Sequence, residues 1–199
     1  MNTPADPQTY LFDIADRQAG FFTAAQAQEA GYSYASQSYH RKQGHWLDEG
    51  WGIFRLRHYP SSADEELIRL MLWSRNREGW VQAVISHDTA LRVYELSDVM
   101  PSKVHLTVPK GFRKGIPKGV VLHKRELAEE DTTVRDGYRI TTPLRTLLDV
   151  ADSPLSPEHL YGATQEALER GLVRRARLEE ATKAAPEPAR ERFAYLRLP

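Results

Sequence analysis

Ser33, Ser36, Gln37, His40 and Arg41 gather hydrogen-bonding side chains into one short stretch, with no acid anywhere between Ala30 and Asp48. Gln and Arg can pair bidentately with adenine and guanine edges, while Ser, His and Lys reach phosphates or bases. The chemistry these residues suit is the reading of DNA. To do it they must share one face of a helix. Ala35 and Tyr39, at i and i+4, are the positions expected to face inward, which leaves the polar residues outward. Tyr34 and Lys42 complete the candidate interface. A solvated helix face more often carries Glu and Lys; the plain alternative is a helical hairpin with a surface ribbon.

The flanking sequence supplies the elements such a face needs. Thr23 can cap a first helix, with Gln26 at the spacing of a capping box, and Ala24, Ala25, Ala27 and Ala30 are strong helix formers with small side chains. Gly31 falls where a helix end needs positive φ. Ser33 then caps a second helix over residues 34–43, ended by Gly44. Trp46-Leu47, the loop Asp48-Glu49-Gly50 and the stretch from Trp51 to Leu56 predict a β-hairpin, with Trp46 and Trp51 as a cross-strand pair. Tyr10, Leu11, Ile14 and Ala15 predict an earlier helix over residues 9–18. Helix, turn, helix and ribbon describe a winged helix-turn-helix, whose second helix enters the major groove. The break at His58-Tyr59-Pro60-Ser61-Ser62 places a domain boundary between residues 60 and 61.

A second concentration of chemistry lies further on. Lys103, Lys110, Arg113, Lys114, Lys118, Lys124 and Arg125 occur with no acid among them. They form either a patch for nucleic acid or an acidic partner, or a solvated hairpin loop. Val104 to Val108 and Val120 to His123 alternate as strands, residues 80–85 and 138–140 also read as strands, and Trp73 and Trp80 are placed in this domain's core. Helices are expected near residues 64–73, after Ser86-His87-Asp88, over 144–150, from Ser156-Pro157 to Gly171, and over 174–184, before a Pro-bearing tail. Short strands with flanking helices make residues 61–199 an α+β domain. The expected fold is thus α+β, a winged helix-turn-helix over residues 1–60 followed by a larger α+β domain with a small sheet.

Catalysis is not expected. The histidines show no HExxH or comparable spacing, so no metal and no cofactor is anticipated. Ser86, His87 and Asp88 are sequence neighbours at a helix start, where relay geometry is hard to reach; Ser86 is read as a cap and His87 as structural. Lys110-Gly111 and Lys114-Gly115 lack a phosphate-loop arrangement. A metal-dependent nuclease would need clustered acids and a lysine on a core strand, and the chain beyond Ala151 offers no such strand.

The chain has 199 residues, 41% apolar and 27% charged, the composition of a soluble globular protein. No run is long enough to cross a bilayer, the first residues lack the basic and apolar regions of a signal peptide, and there is no cysteine, so the cytoplasm is the default location. Net charge is zero. Residues 1–60 hold Arg17, Arg41, Lys42, Arg55 and Arg57 against Asp6, Asp13, Asp16, Glu29, Asp48 and Glu49, 5 − 6 = −1. A DNA binder usually carries a basic excess; here the cations gather on the second helix and at the end of the wing.

FFTAAQAQEAGYS (21–33), GIFRLRHYP (52–60), AVISHDTALRVYELSDVMPSKVHLTVPKG (83–111), YRITTPLRTLLDVA (138–151) and ALERGLV (167–173) together resemble the AbiEi-type antitoxin family over nearly the whole chain. The blocks around Ser86-His87-Asp88 and Thr141-Thr142-Pro143 carry the resemblance most specifically. It implies a type IV antitoxin whose functional partner is a nucleotidyltransferase-like toxin. The N-terminal winged helix would bind operator DNA and repress the operon as a monomer able to pair on an inverted repeat, and the C-terminal domain would neutralise the toxin. Ser33, Ser36, Gln37, His40 and Arg41 would then read bases, with Arg55 or Arg57 on phosphates. Asp48 and Glu49 depart from the basic wing common in such proteins. They support a rival reading, a winged helix that binds a protein instead of DNA.

Overall fold

The computed structural model describes residues 6–98 and 101–196. The fold is α+β and divides into two compact units, the first comprising the chain up to Val81 together with residues 136–138, the second the remainder.

In the first unit, α1 (Pro7–Asp16), β1 (Phe21–Thr23), α2 (Ala24–Glu29), α3 (Tyr34–Lys42), β2 (Trp46–Asp48) and β3 (Ile53–Leu56) follow one another, and the three strands form an antiparallel sheet in the order β1-β3-β2. The local signals act as expected. The Thr23 hydroxyl accepts from Gln26 N at 3.2 Å, and the Gln26 side chain accepts from Thr23 N at 2.9 Å. Gly31 ends α2 at φ +96°. The core joins Leu11, Ala15, Phe22, Ala27, Ala30, Trp46 and Phe54. Ala27 and Ala30 are small enough to let the helices close on the aromatic cluster, where the Phe22 ring meets Trp46 edge-on at 4.8 Å.

The structure corrects two expectations for this unit. Helix α4 (Glu65–Trp73), assigned from sequence to the second domain, packs on β1 and β3 and buries Leu67, Ile68, Leu70, Met71, Leu72 and Trp73. The first unit therefore reaches Val81, and Trp73 belongs to it, because an apolar face that large must be covered by the sheet beside it. Trp46 and Trp51 also do not pair. Trp46 is buried beneath the sheet, whereas Trp51 sits half-exposed on the turn with φ +53°, its ring 6.1 Å from Trp73 and under the Arg69 guanidinium at 5.1 Å.

The second unit holds β4 (Val84–Ile85), α5 (His87–Val93), β5 (Val104–Val108), β6 (Val120–Lys124), β7 (Thr132–Arg135) and all of β8 (Tyr138–Thr141) but its first residue, followed by helices α6 (Pro143–Ala151), α7 (Pro157–Glu169), α8 (Arg175–Ala184) and α9 (Glu187–Leu196). The sheet order is β6-β5-β4-β8-β7. Residues 80–83, expected as strand, are not; β4 is only Val84–Ile85, and Trp80 is 73% exposed rather than part of a core. Strands β5 and β6 pair in parallel, from Val104 with Val120 to Val108 with Lys124, so residues 109–119 are a crossover and not a hairpin loop. Helix α6 starts as its sequence directs: Thr142 accepts from Arg145 N and Pro143 takes the first position. Its end is closed by a residue far along the chain. One Arg192 guanidinium on α9 donates to the carbonyls of Val150, Ala151, Ser153 and Leu155. Helix α9 replaces the expected Pro-bearing tail and buries Ala189, Phe193 and Leu196.

Candidate nucleic-acid interface

The hydrogen bond that fixes α3 in its unit is made by the residue expected to read DNA. Gln37 is 4% exposed, and its amide donates to Ala24 O at 3.2 Å and Tyr32 O at 3.0 Å. It ties α3 to the start of α2 and to the turn between them. With Gln37 inward, the helical repeat places Ser36 and His40 on the inward-leaning flank. The His40 ring stacks on Trp46 at 4.7 Å, and burial, then the neighbouring His45, lowers its pKa. Ala35 and Tyr39, expected inside, are outside, Tyr39 at 56% exposure. The phase is reversed because a side-chain amide, not an alanine or tyrosine, fills the core-facing slot and satisfies two carbonyls there.

The outward face of α3 carries Tyr34 (72% exposed), Ala35, Tyr39, Arg41 and Lys42. Ser33 is exposed and occupied as the cap, accepting from Ser36 N at 3.2 Å. Arg41 meets Asp48 of β2 at 3.1 Å, an exposed pair worth about 0–1 kcal/mol. Arg57 is exposed and donates to Gly44 O at 3.0 Å. Arg55 does not reach the surface. It is 8% exposed, lies over Phe21, and donates to Glu65 at 2.7 Å and to the carbonyls of Tyr59 and Pro60. Both faces of β3 are covered, and α4 with Glu65 closes over the face that carries Arg55, which removes it as a phosphate contact.

The basic residues of the second unit are not one patch. Parallel pairing puts Lys103 and Lys118 near the start of β5 and β6, and Lys110, Lys124 and Arg125 near their far end, with Arg113 and Lys114 on the crossover. Strands of this length separate the two groups by about 16 Å. Burial lowers the Lys114 pKa. Lys110 N donates to the Glu126 carboxylate at 3.0 Å. Arg125 is tied to Asp149 at 3.0 Å and Asp152 at 3.3 Å. Asp149, 1% exposed, also accepts from Arg145 Nε at 2.9 Å. Burial pushes its carboxyl up against the pull of Arg145 and Arg125. Asp149 and Asp152, read from sequence as a helix end and a cap, are the anchors of an ion-pair cluster.

Beside Arg125 the sheet brings together three histidines: His105 and His123, which the sequence allows on paired strands, and His87 from the start of α5. The Thr107 hydroxyl donates to Ser86 Oγ at 2.8 Å, and Ser86 Oγ lies 2.9 Å from His87 Nδ1. With Thr107 donating to Ser86, the Ser86 hydroxyl is free to donate to Nδ1, and the tautomer that suits this arrangement carries the His87 proton on Nε2. His87 Nε2 has no hydrogen-bond partner among the described residues. The His87 ring stacks on His123, whose Nε2 is 3.2 Å from His105 Nδ1; His105 in turn lies 3.9 Å from Asp88. Desolvation lowers His87 to about 2, with His123 and His105 adding to it, and lowers His123 to about 4. His87, Thr107, His123, Lys124, Arg125 and Asp152 line a cavity of about 270 Å³. Ser86 is wholly buried inside this relay, so it is neither a simple cap nor an exposed nucleophile. Register was the missing signal: His105 pairs with Val121 and His123 with Thr107, so the two histidines lie two residues out of register on the same face of paired strands. Among the described residues no group of three or more His, Asp or Glu is arranged to hold a metal ion. No described helix is long and apolar enough to cross a membrane.

Comparison with known proteins bears on both units. The crystal structure of the RV2827C protein from Mycobacterium tuberculosis is similar in fold, with a TM-score of 0.58 and 17% identity, over 98% of this chain and 77% of that one. No curated protein matches. The model of the AbiEi antitoxin C-terminal domain matches residues 82–198, more than half of the chain and nearly all of the second unit. The chain belongs to the AbiEi antitoxin family, and that membership brings an antitoxin role in a toxin–antitoxin system and a toxin as its functional partner.

Proposed function

We propose that the protein is the antitoxin of a type IV system with a nucleotidyltransferase-like toxin, and that its first unit binds operator DNA and represses its own operon. The observation that carries the DNA half is the outward face of α3, with Tyr34, Tyr39, Arg41 and Lys42 and no carboxylate anywhere on the helix. The order α1, β1, α2, α3, β2, β3 and the sheet order β1-β3-β2 support a winged-helix reading, in which the second helix of the pair enters the major groove. Arg41 and Lys42 would contact phosphate or guanine, the tyrosines would pack on sugar and base, and Arg57 would add a backbone contact. Gln37, Ser36 and His40 position this face; they do not read bases. The reading is tested by binding to the DNA just upstream of the gene. Wild type should prefer it over random DNA at moderate salt, and Arg41→Ala/Lys42→Ala should lose that preference. Wild type indifferent to its own promoter would overturn the repressor half.

A second reading rests on Asp48 and Glu49. Two carboxylates on the wing repel phosphate, so the unit would bind a protein instead. Tight toxin binding together with salt-insensitive indifference to DNA would favour it. For neutralisation, Lys110 and Lys124 are the exposed cations at one end of the β5–β6 pair. Replacing both with Ala should impair toxin rescue in cells, and unchanged rescue would exclude that end.

A further inference from the structure

The cavity beside the histidines has the features of a built site. His87 is 7% exposed, and its ring is fixed on both sides, by the Ser86–Thr107 hydroxyl relay at Nδ1 and by the face of His123. The relay leaves Nε2 as a donor with no protein acceptor, on a ring that lines the cavity. The described side-chain atoms that are buried without a partner do not include Nε2, which therefore opens onto the cavity, where an anion can accept from it. Two cations share the same walls. Arg125 directs one N–H to Asp149 and one to Asp152, which fixes the plane of the guanidinium and leaves further N–H groups uncommitted. Lys124 is exposed at the rim. Against them stands one carboxylate in the wall, Asp152, already paired with Arg125.

We propose that this cavity binds a phosphate group, with His87 Nε2–H, Arg125 and Lys124 each donating to one of its oxygens. Three donors of different kinds line one cavity, His87 from the start of α5 and Lys124 and Arg125 from the end of β6, and suit a tetrahedral anion better than the two oxygens of a carboxylate. The size agrees. About 270 Å³ is below the roughly 300–1,000 Å³ of pockets for drug-sized ligands, and accommodates a phosphate with a few attached atoms. A neutral histidine is the appropriate donor here, because its single proton is aimed by the relay and stays in place over a wide pH range. The site involves only residues of the second unit and does not depend on the DNA reading.

The test uses the full-length nitrogen-labelled chain titrated with sodium phosphate at constant ionic strength, reading the imidazole and backbone amide signals. The expected result is saturable shifts at His87, Lys124 and Arg125, and weakening of about tenfold in Lys124→Ala, the effect of removing one charge-assisted hydrogen bond. Lys124 is exposed, so that variant folds; Arg125→Gln should weaken binding further. Linear shifts that chloride reproduces, shifts centred on Lys110 or Arg113, or full affinity in Lys124→Ala would each overturn the proposal. Titration with adenosine monophosphate separates the sources. Tighter binding than inorganic phosphate assigns the site to a nucleotide, and equal binding assigns it to free phosphate. Failure of both ligands overturns the site.

Discussion

The imidazole of His87 lies flat on that of His123, ring centroids 3.4 Å and planes 11° apart. Two imidazoliums cannot share that geometry in a half-buried site, so the stack holds only while the rings are neutral. Both residues have folded-state pKa values, about 2 and about 4, below the ordinary histidine value of about 6.5. Protons therefore favour the unfolded chain. Stability present above about pH 6.5 is lost as pH falls toward those folded values. Each histidine contributes up to about 1.4 kcal/mol per pH unit over its window. Urea unfolding at pH 7 and pH 5.5 should show the loss, and His123→Gln should make it shallower. An unchanged slope in the variant would contradict the neutral stack.

Gln37→Ala should cost about 1–3 kcal/mol, because the Ala24 and Tyr32 carbonyls lose their donor. Gln37→Glu, which cannot donate, should cost at least as much. The fraction that remains folded should bind DNA as wild type does. Denaturation and binding measured together distinguish this positioning role from base reading, which would lower affinity at unchanged stability.

Arg41→Ala/Lys42→Ala should lower DNA affinity and reduce the slope of log K against log salt by about 2, one unit for each phosphate no longer neutralised. Asp48→Asn should act oppositely and tighten binding, since it releases Arg41 and removes a repelling charge. Titrations at several salt concentrations check both. Weaker binding by Asp48→Asn would mean that the Arg41–Asp48 pair shapes the DNA-bound form.

Asp149→Ala should destabilise the second unit by about 3–5 kcal/mol, since it leaves Arg145 and part of Arg125 without their shared buried counter-charge. Asp152→Ala, which removes only the outer and more exposed partner, should cost about 0–1 kcal/mol. Comparable losses in thermal unfolding would show that Asp149 is not the anchor.

Local chemistry was legible in the sequence, and long-range geometry was not. Thr23 with Gln26, Gly31, Ser33 and Thr142-Pro143 each specify a helix end through partners within a few residues, and the structure places them accordingly. The phase of α3 does not follow from apolar character, because two carbonyls make an amide the better occupant of the core-facing slot. The parallel pairing of β5 and β6 follows from a short crossover without a helix, which no residue type announces. The sequence allows His105 and His123 on paired strands, but their register and the place of His87 beside them depend on that pairing. Helix α9 was hidden by its prolines, although Pro188 lies in the first turn, where a missing N–H costs nothing.

Arg192 gives the second unit an order of assembly. The carbonyls that it satisfies belong to residues 150–155, made some forty residues earlier in synthesis. Until α9 leaves the ribosome, these carbonyls lack the Arg192 donor, and the unit stays open on the side that α9 covers. Trimming from the C-terminus would reopen the same seam first, exposing the C-terminal end of α6 to any protease that found it.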